Sequence, residues 1–193
     1  MPSCEEHNND NSKDVEYARN AITTLWGVNT TGLELFERKT KKSLDRSPGL
    51  LFQTFGTIEP VMYGEHVTGV YHLDIDRLEV VFGACVRAVH YRDTRRKHAD
   101  WGIVMPRCAF DSNVPEQFVQ NWNRLCEALK SLQFERQSTA NPSVFEYGVA
   151  QLEGKYVYLH VFYGSFLVYA LELSKEAAAA RFLKKSVAVK AVP

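Results

Sequence analysis

The sequence has no surplus of charge of either sign: 23 Lys and Arg balance 23 Asp and Glu across 193 residues. Sequence-independent binding to DNA or RNA ordinarily rests on a basic surplus that neutralises phosphates, and the chain as a whole has none. Cysteine is scarce. Cys4, Cys85, Cys108 and Cys126 stand 81, 23 and 18 residues apart, a pattern of neither a secreted disulfide framework nor a zinc knuckle. Reduced thiols in the cytoplasm or nucleus are expected, with no structural metal and no cofactor. Long apolar runs are also missing. The longest, residues 156–173, is broken by His160 and by Gly164-Ser165, so no membrane span is expected. The acidic, polar start has none of the marks of a signal or transit peptide. No G-x-S-x-G, P-loop, G-x-G-x-x-G or H-E-x-x-H motif occurs, and no cysteine is flanked as a nucleophile would be, so the chain is not expected to be an enzyme.

What is present suits a folded domain. Hydrophobic residues make up 45% and charged residues 24%, which places the chain among ordinary globular proteins rather than disordered ones. A domain of roughly 150 residues buries about 70% of its unfolded surface and needs neither disulfide nor metal. Residues 1–12, with almost nothing apolar, read as a disordered tail. Residues 13–46 read as a helical segment: Val15, Ala18, Ile22, Leu25 and Trp26 fall at helical spacing and Gly27 stops them. A second helix begins at Thr31, where Thr31-Gly32-Leu33-Glu34 matches a capping box.

Residues 50–190 read as an α+β domain. Leu50 to Phe55, His66 to Leu73, Leu78 to Tyr91 and Trp101 to Met105 are candidate strands, with Asp74-Ile75-Asp76-Arg77 as a hairpin loop. The stripe Val114, Phe118, Trp122, Leu125, Leu129 and Leu132 predicts a helix over 114–134, capped by Asn113. Glu153-Gly154 and Gly164-Ser165 mark two-residue turns that divide 143–173 into a three-stranded meander. Ser174 then caps a final helix through Ala177–Ala180, Phe182, Leu183 and Val187. The expected architecture is an antiparallel sheet with helices, in the order αα-ββ(β)-α-βββ-α.

Two-residue turns also set the register, because a slip of one residue sends every side chain to the other face. With Leu152 opposite Lys155 and Tyr163 opposite Phe166, both faces of the meander are apolar. One is aromatic, and it carries Tyr147, His160 and Tyr169 in a row across the sheet. That row reads either as a polar patch holding a ligand or as a histidine hydrogen-bonded to tyrosine hydroxyls at the edge of a core. The smaller-residue face suits the 114–134 helix. The aromatic face calls for the N-terminal helices, the final helix or a partner.

Other constellations are weaker. His66 would face Cys85, and His72 would face Glu79, but at about 3.3 Å per residue the pairs stand too far apart to share an ion, so no metal is expected. Asp74-x-Asp76 is ordinary turn chemistry. Arg92, Arg95, Arg96 and Lys97 form a basic loop that reads as a solvated loop or as a phosphate-binding face, and nucleic acid stays open as a partner.

The order of elements over about residues 58–190 resembles the profilin-like architectures, including the longin and roadblock domains of trafficking and GTPase regulation and, more loosely, PAS and GAF sensors. On the longin side the resemblance implies protein partners; on the PAS and GAF side, a ligand cavity against the meander. Fold alone does not set function. With two apolar faces, extra N-terminal helices and no catalytic motif, the expectation is a non-catalytic adaptor or scaffold subunit of an intracellular multiprotein complex, acting through protein–protein interaction. The alternatives are a small-ligand sensor and a nucleic-acid-binding accessory protein.

Overall fold

The computed structural model describes residues 5–56, 58–63, 65–106, 108–110, 114–182 and 189–191. It is an α+β fold built on a five-stranded antiparallel sheet. The meander supplies the middle of that sheet: β6 (Phe145–Leu152), β7 (Lys155–Phe162) and β8 (Phe166–Glu172). The short strands β3 (Trp101–Val104) and β5 (Glu135–Gln137) close its edges, in the order β3-β8-β7-β6-β5. A second sheet, in the order β1-β2-β9-β4, is formed by β1 (Glu59–Tyr63), β2 (His66–His72), β4 (Cys108–Phe110) and β9 (Val189–Ala191). Pro60 lies on its edge strand β1, where a missing N–H costs nothing. The longin-like order is not reproduced, since the β1–β2 hairpin lies outside the meander's sheet.

Two expected strands are helices. Residues 78–91 fall within α5 (Ile75–Thr94), and residues 50–55 within α4 (Pro48–Phe55). In α5 the buried Leu78, Phe82, Val86 and Val89 are spaced four, four and three apart, a single helical face. Its Val-rich composition favours strand, but a face this long, packed on a sheet, overrides that preference. Asp74 is the helix cap rather than a hairpin residue: its carboxylate accepts the Arg77 N–H at 3.2 Å. The His66–Cys85 and His72–Glu79 pairings therefore do not exist. In α4, Pro48 occupies the first turn, where its missing N–H is harmless.

α1 (Glu5–Thr23) reaches back into the segment read as a tail. After it come α2 (Thr30–Leu35), a π-helical turn over Phe36–Thr40, and α3 (Lys41–Arg46). The cap of α2 is Asn29, not Thr31. The π turn carries Thr40 inward to a fully buried cluster, where its hydroxyl lies 3.1 Å from that of Thr23 and 3.4 Å from Oδ1 of Asn20. α1 packs on α5 and shares its core: Tyr17, Ala18, Ala21 and Ile22 belong to one cluster with Phe82, Tyr158 and Phe166. At its start, Arg77 bonds Asp14 at 2.6 Å and lies over the Tyr17 ring.

α6 (Glu116–Lys130) follows the expected stripe, with Pro115 at its cap position; Asn113 lies outside the described residues. Cys126 and Leu129, with Trp122 and Leu132, cover Val157, Leu159, Tyr169 and Leu171. On β7, α6 thus takes the side expected for it, Val157 and Leu159, while α5 takes the aromatic side; on β8 the face beneath α6 carries Tyr169 and Leu171 instead of the expected Val168 and Ala170. Ser174 caps α7 (Lys175–Phe182), accepting the Ala177 N–H at 3.2 Å. The expected continuation of that helix through Leu183 and Val187 falls outside the described residues.

The candidate site at the end of the fifth helix

The meander register decides which candidate residues meet. The first turn is as expected: Leu152 pairs with Lys155, and Glu153 and Gly154 both have positive φ, 52° and 76°. The second is not. Phe162 pairs with Phe166, so three residues form the loop, with Tyr163 and Gly164 at φ 49° and 73°. The extra residue reverses the faces of β8. Val168 and Ala170 join His160 and Tyr158 on the aromatic side, and Tyr169 joins Val157 and Leu159 beneath α6. Tyr147 and His160 do pair across β6 and β7, with rings 6.3 Å apart. The three-residue row is thus a pair, and Tyr169 packs on Phe134 on the opposite face.

His160 is fully buried, and among the described residues neither ring nitrogen has a hydrogen-bond partner. Phe145, Tyr147, Tyr158 and Phe162 surround the ring. Burial alone lowers its pKa to about 4, so it is neutral at pH 7. Phe82 of α5 packs on Phe162 and Phe166, closing this face. The ligand cavity implied by a PAS- or GAF-like meander is filled by helix.

The polar chemistry gathers at the C-terminal end of α5. The Tyr147 hydroxyl lies 2.9 Å from both oxygens of the Asp93 carboxylate and accepts a hydrogen bond from Arg92, whose guanidinium carbon sits 4.9 Å from the ring centroid. Two residues that sequence reading assigned to separate features, Tyr147 and Arg92, are therefore joined. Beside them, the buried His90 places Nδ1 3.1 Å from the Tyr158 hydroxyl and packs edge-on against Trp101 and Tyr156. Burial lowers the His90 pKa and raises that of Tyr158, so both are held neutral. His98 faces Glu172 at 3.7 Å, and Glu172 also accepts the Tyr156 N–H at 2.9 Å.

Sequence reading missed His90, Asp93, His98, Tyr158 and Glu172 as a group. The available signal was helical: His90 follows Leu78, Phe82 and Val86 at fourfold spacing, which a strand assignment hides.

This arrangement holds neutral or paired groups together. Burial pushes the thiols of Cys85 and Cys126 upward, away from thiolate. Among the described residues, no three His, Cys, Asp or Glu side chains are placed to hold a metal ion, and no helix is long and apolar enough to cross a membrane.

Arg95, Arg96 and Lys97 stand outside the cluster, all exposed. Arg95 takes the left-handed conformation, φ 59°, as the C-cap of α5. A cleft of about 330 Å³ opens along the other end of α5, between Asp76, Val80, Gly83 and Arg87 on the helix and Trp101 and Ile103 of β3.

The fold and site define an α+β protein with an aromatic and histidine cluster whose His90, His160, Tyr147 and Tyr158 are buried. Comparison with family models, with curated proteins and with solved structures finds no match to the chain.

Proposed function

We propose that this chain is a non-catalytic adaptor or scaffold subunit of an intracellular multiprotein complex. The observation that carries the reading is the surface of the N-terminal part. Trp26, Leu33, Phe52 and Met62 are 68%, 54%, 67% and 63% exposed, although both faces of the main sheet are covered from within the chain. Single exposed apolar residues are normal on any protein, but six large ones within the first 62 residues, Val15 and Ile58 among them, suit a surface that a protein partner covers. Trp and Phe are also residue types enriched at the centres of such interfaces. The polar cluster supports the same reading, since its buried His90, Tyr147 and Tyr158 fix α5 to the sheet. The order of elements gives no ground for a trafficking or GTPase-regulatory role in particular.

The test is light scattering coupled to size exclusion on the chain isolated with its partners from its own cells, beside a Trp26→Ser, Phe52→Ser variant. Co-elution of the parent with a stoichiometric partner, lost in the variant, is the expected result. A parent that elutes as a lone monomer overturns the reading.

A further inference from the structure

The charge of this chain sums to zero only over its whole length. Residues 87–97 carry five cations, Arg87, Arg92, Arg95, Arg96 and Lys97, against one carboxylate, Asp93. That carboxylate is turned inward onto Tyr147 and is paired with Arg92. The other four cations are exposed, and among the described residues none of them forms an ion pair. Three lie in sequence on a loop whose two ends are fixed. At the near end, the Arg95 N–H donates to the Tyr91 carbonyl at 2.9 Å, and the Arg96 N–H donates to the Thr94 hydroxyl at 3.1 Å. Thr94 is itself anchored to the His90 carbonyl at 2.7 Å. At the far end, the Trp101 indole donates to the His98 carbonyl at 3.1 Å, and the His98 ring is held against Glu172 and the Asp100 carbonyl.

An aromatic ring is interleaved with these charges. Arg87 and Tyr91 stand one turn apart on the outer face of α5, about 6 Å along the axis, and Arg95 follows as its left-handed C-cap. Tyr91 is 36% exposed. A line of cations with an exposed ring between them is what single-stranded nucleic acid requires: phosphates meet the guanidinium groups, and a base stacks on the ring. Stacking of a base on the exposed ring is the contact that favours a single strand over an acidic peptide, whose carboxylates would engage the charges alone.

We propose that the outer face of α5 from Arg87 onward, with the Arg95-Arg96-Lys97 loop, binds single-stranded nucleic acid. The loop's fixed backbone ends present its charges together, and the rest of the chain, with 18 Lys and Arg against 22 Asp and Glu, is net acidic, which favours contact at this face.

Fluorescence anisotropy with a labelled single strand of about 16 nucleotides, starting near 50 mM salt, tests this. The parent should bind, and its affinity should fall as salt rises, with a log–log slope of roughly −0.7 for each phosphate neutralised. Arg95→Ala, Arg96→Ala, Lys97→Ala together should weaken binding at least tenfold and flatten the slope by about 2. Tyr91→Ala should weaken binding severalfold and leave the slope unchanged. All four side chains are exposed, so the variants should keep the parent's melting temperature, and only variants that do so are compared. No binding by the parent at low salt overturns the proposal. So does a triple variant that binds like the parent, or a Tyr91→Ala variant with full affinity. A parent that binds anionic phospholipid vesicles but not the oligonucleotide overturns it as well.

Discussion

Asn29 donates its backbone N–H to the carbonyl of Tyr163 at 2.8 Å, joining the start of the second helix to the last hairpin of the sheet. The same asparagine caps α2 by accepting the Gly32 N–H at 3.0 Å, and its side-chain amide donates to the Ser143 carbonyl at 2.7 Å. Tyr163 holds its positive φ with its N–H bound to Val144 at 3.0 Å. One residue therefore ties together three parts of the chain.

Asn29→Ala should lower stability by about 1–2 kcal/mol, through loss of the cap and of the Ser143 bond. Asn29→Asp keeps a capping oxygen but has no amide to donate, and should fall between parent and Ala. Gly32→Ala should cost about 1–3 kcal/mol, because its Cβ would stand 3.0 Å from Val28 Cβ and 3.1 Å from Tyr163 Cβ. Urea denaturation of the three variants checks the order. An Asn29→Ala variant as stable as the parent would falsify the tie.

Tyr147→Phe should cost about 1–2 kcal/mol, since the hydroxyl bridges two charged side chains that are only partly exposed. Arg92→Ala should cost a similar amount, and the two changes together less than their sum, because they remove one shared interaction. A double-mutant cycle by denaturant titration measures the coupling; strict additivity would mean that the hydroxyl and the guanidinium act separately.

Stability should fall on mild acidification because of His160. Its folded pKa, about 4, lies below the roughly 6.5 of an unfolded histidine, so the unfolded chain takes up the proton first. The folded state is thus favoured fully above pH 6.5, and that advantage drains away as pH falls from 6.5 toward 4. A depression of this size corresponds to about 3 kcal/mol. His160→Leu should remove this component of the pH dependence and, by replacing two unbonded buried nitrogens, raise stability at pH 7 by about 1 kcal/mol or more. Melting curves of both proteins between pH 7 and 4 decide the matter; parallel pH profiles would show that His160 is not the group responsible.

Much of the second half was legible from local pattern. The fourfold and threefold spacing of Phe118, Trp122, Leu125 and Leu129 specifies the sixth helix, Glu153-Gly154 specifies a tight turn, and Ser174 specifies a helix start. Each is set by backbone preferences that act over a few residues, and each stands where expected. Residues 75–94 show where such reading fails. Val, Phe and Tyr are as suited to a strand as to a buried helix face, and Asp74 serves a turn or a cap equally well. What selects the helix is the aromatic face of the meander, a surface made by residues far along the chain.

By itself, the sequence determined that a folded α+β chain would form, with an alternating apolar meander and no surplus of charge. Tertiary structure alone decided the rest: that α5 covers the aromatic face, that Tyr147 meets Arg92, and that Tyr169 turns away from His160. The reason is physical. A single extra residue in the 163–165 loop reverses every side chain of β8, and its geometry is held by a contact from Asn29, more than 130 residues earlier in the chain.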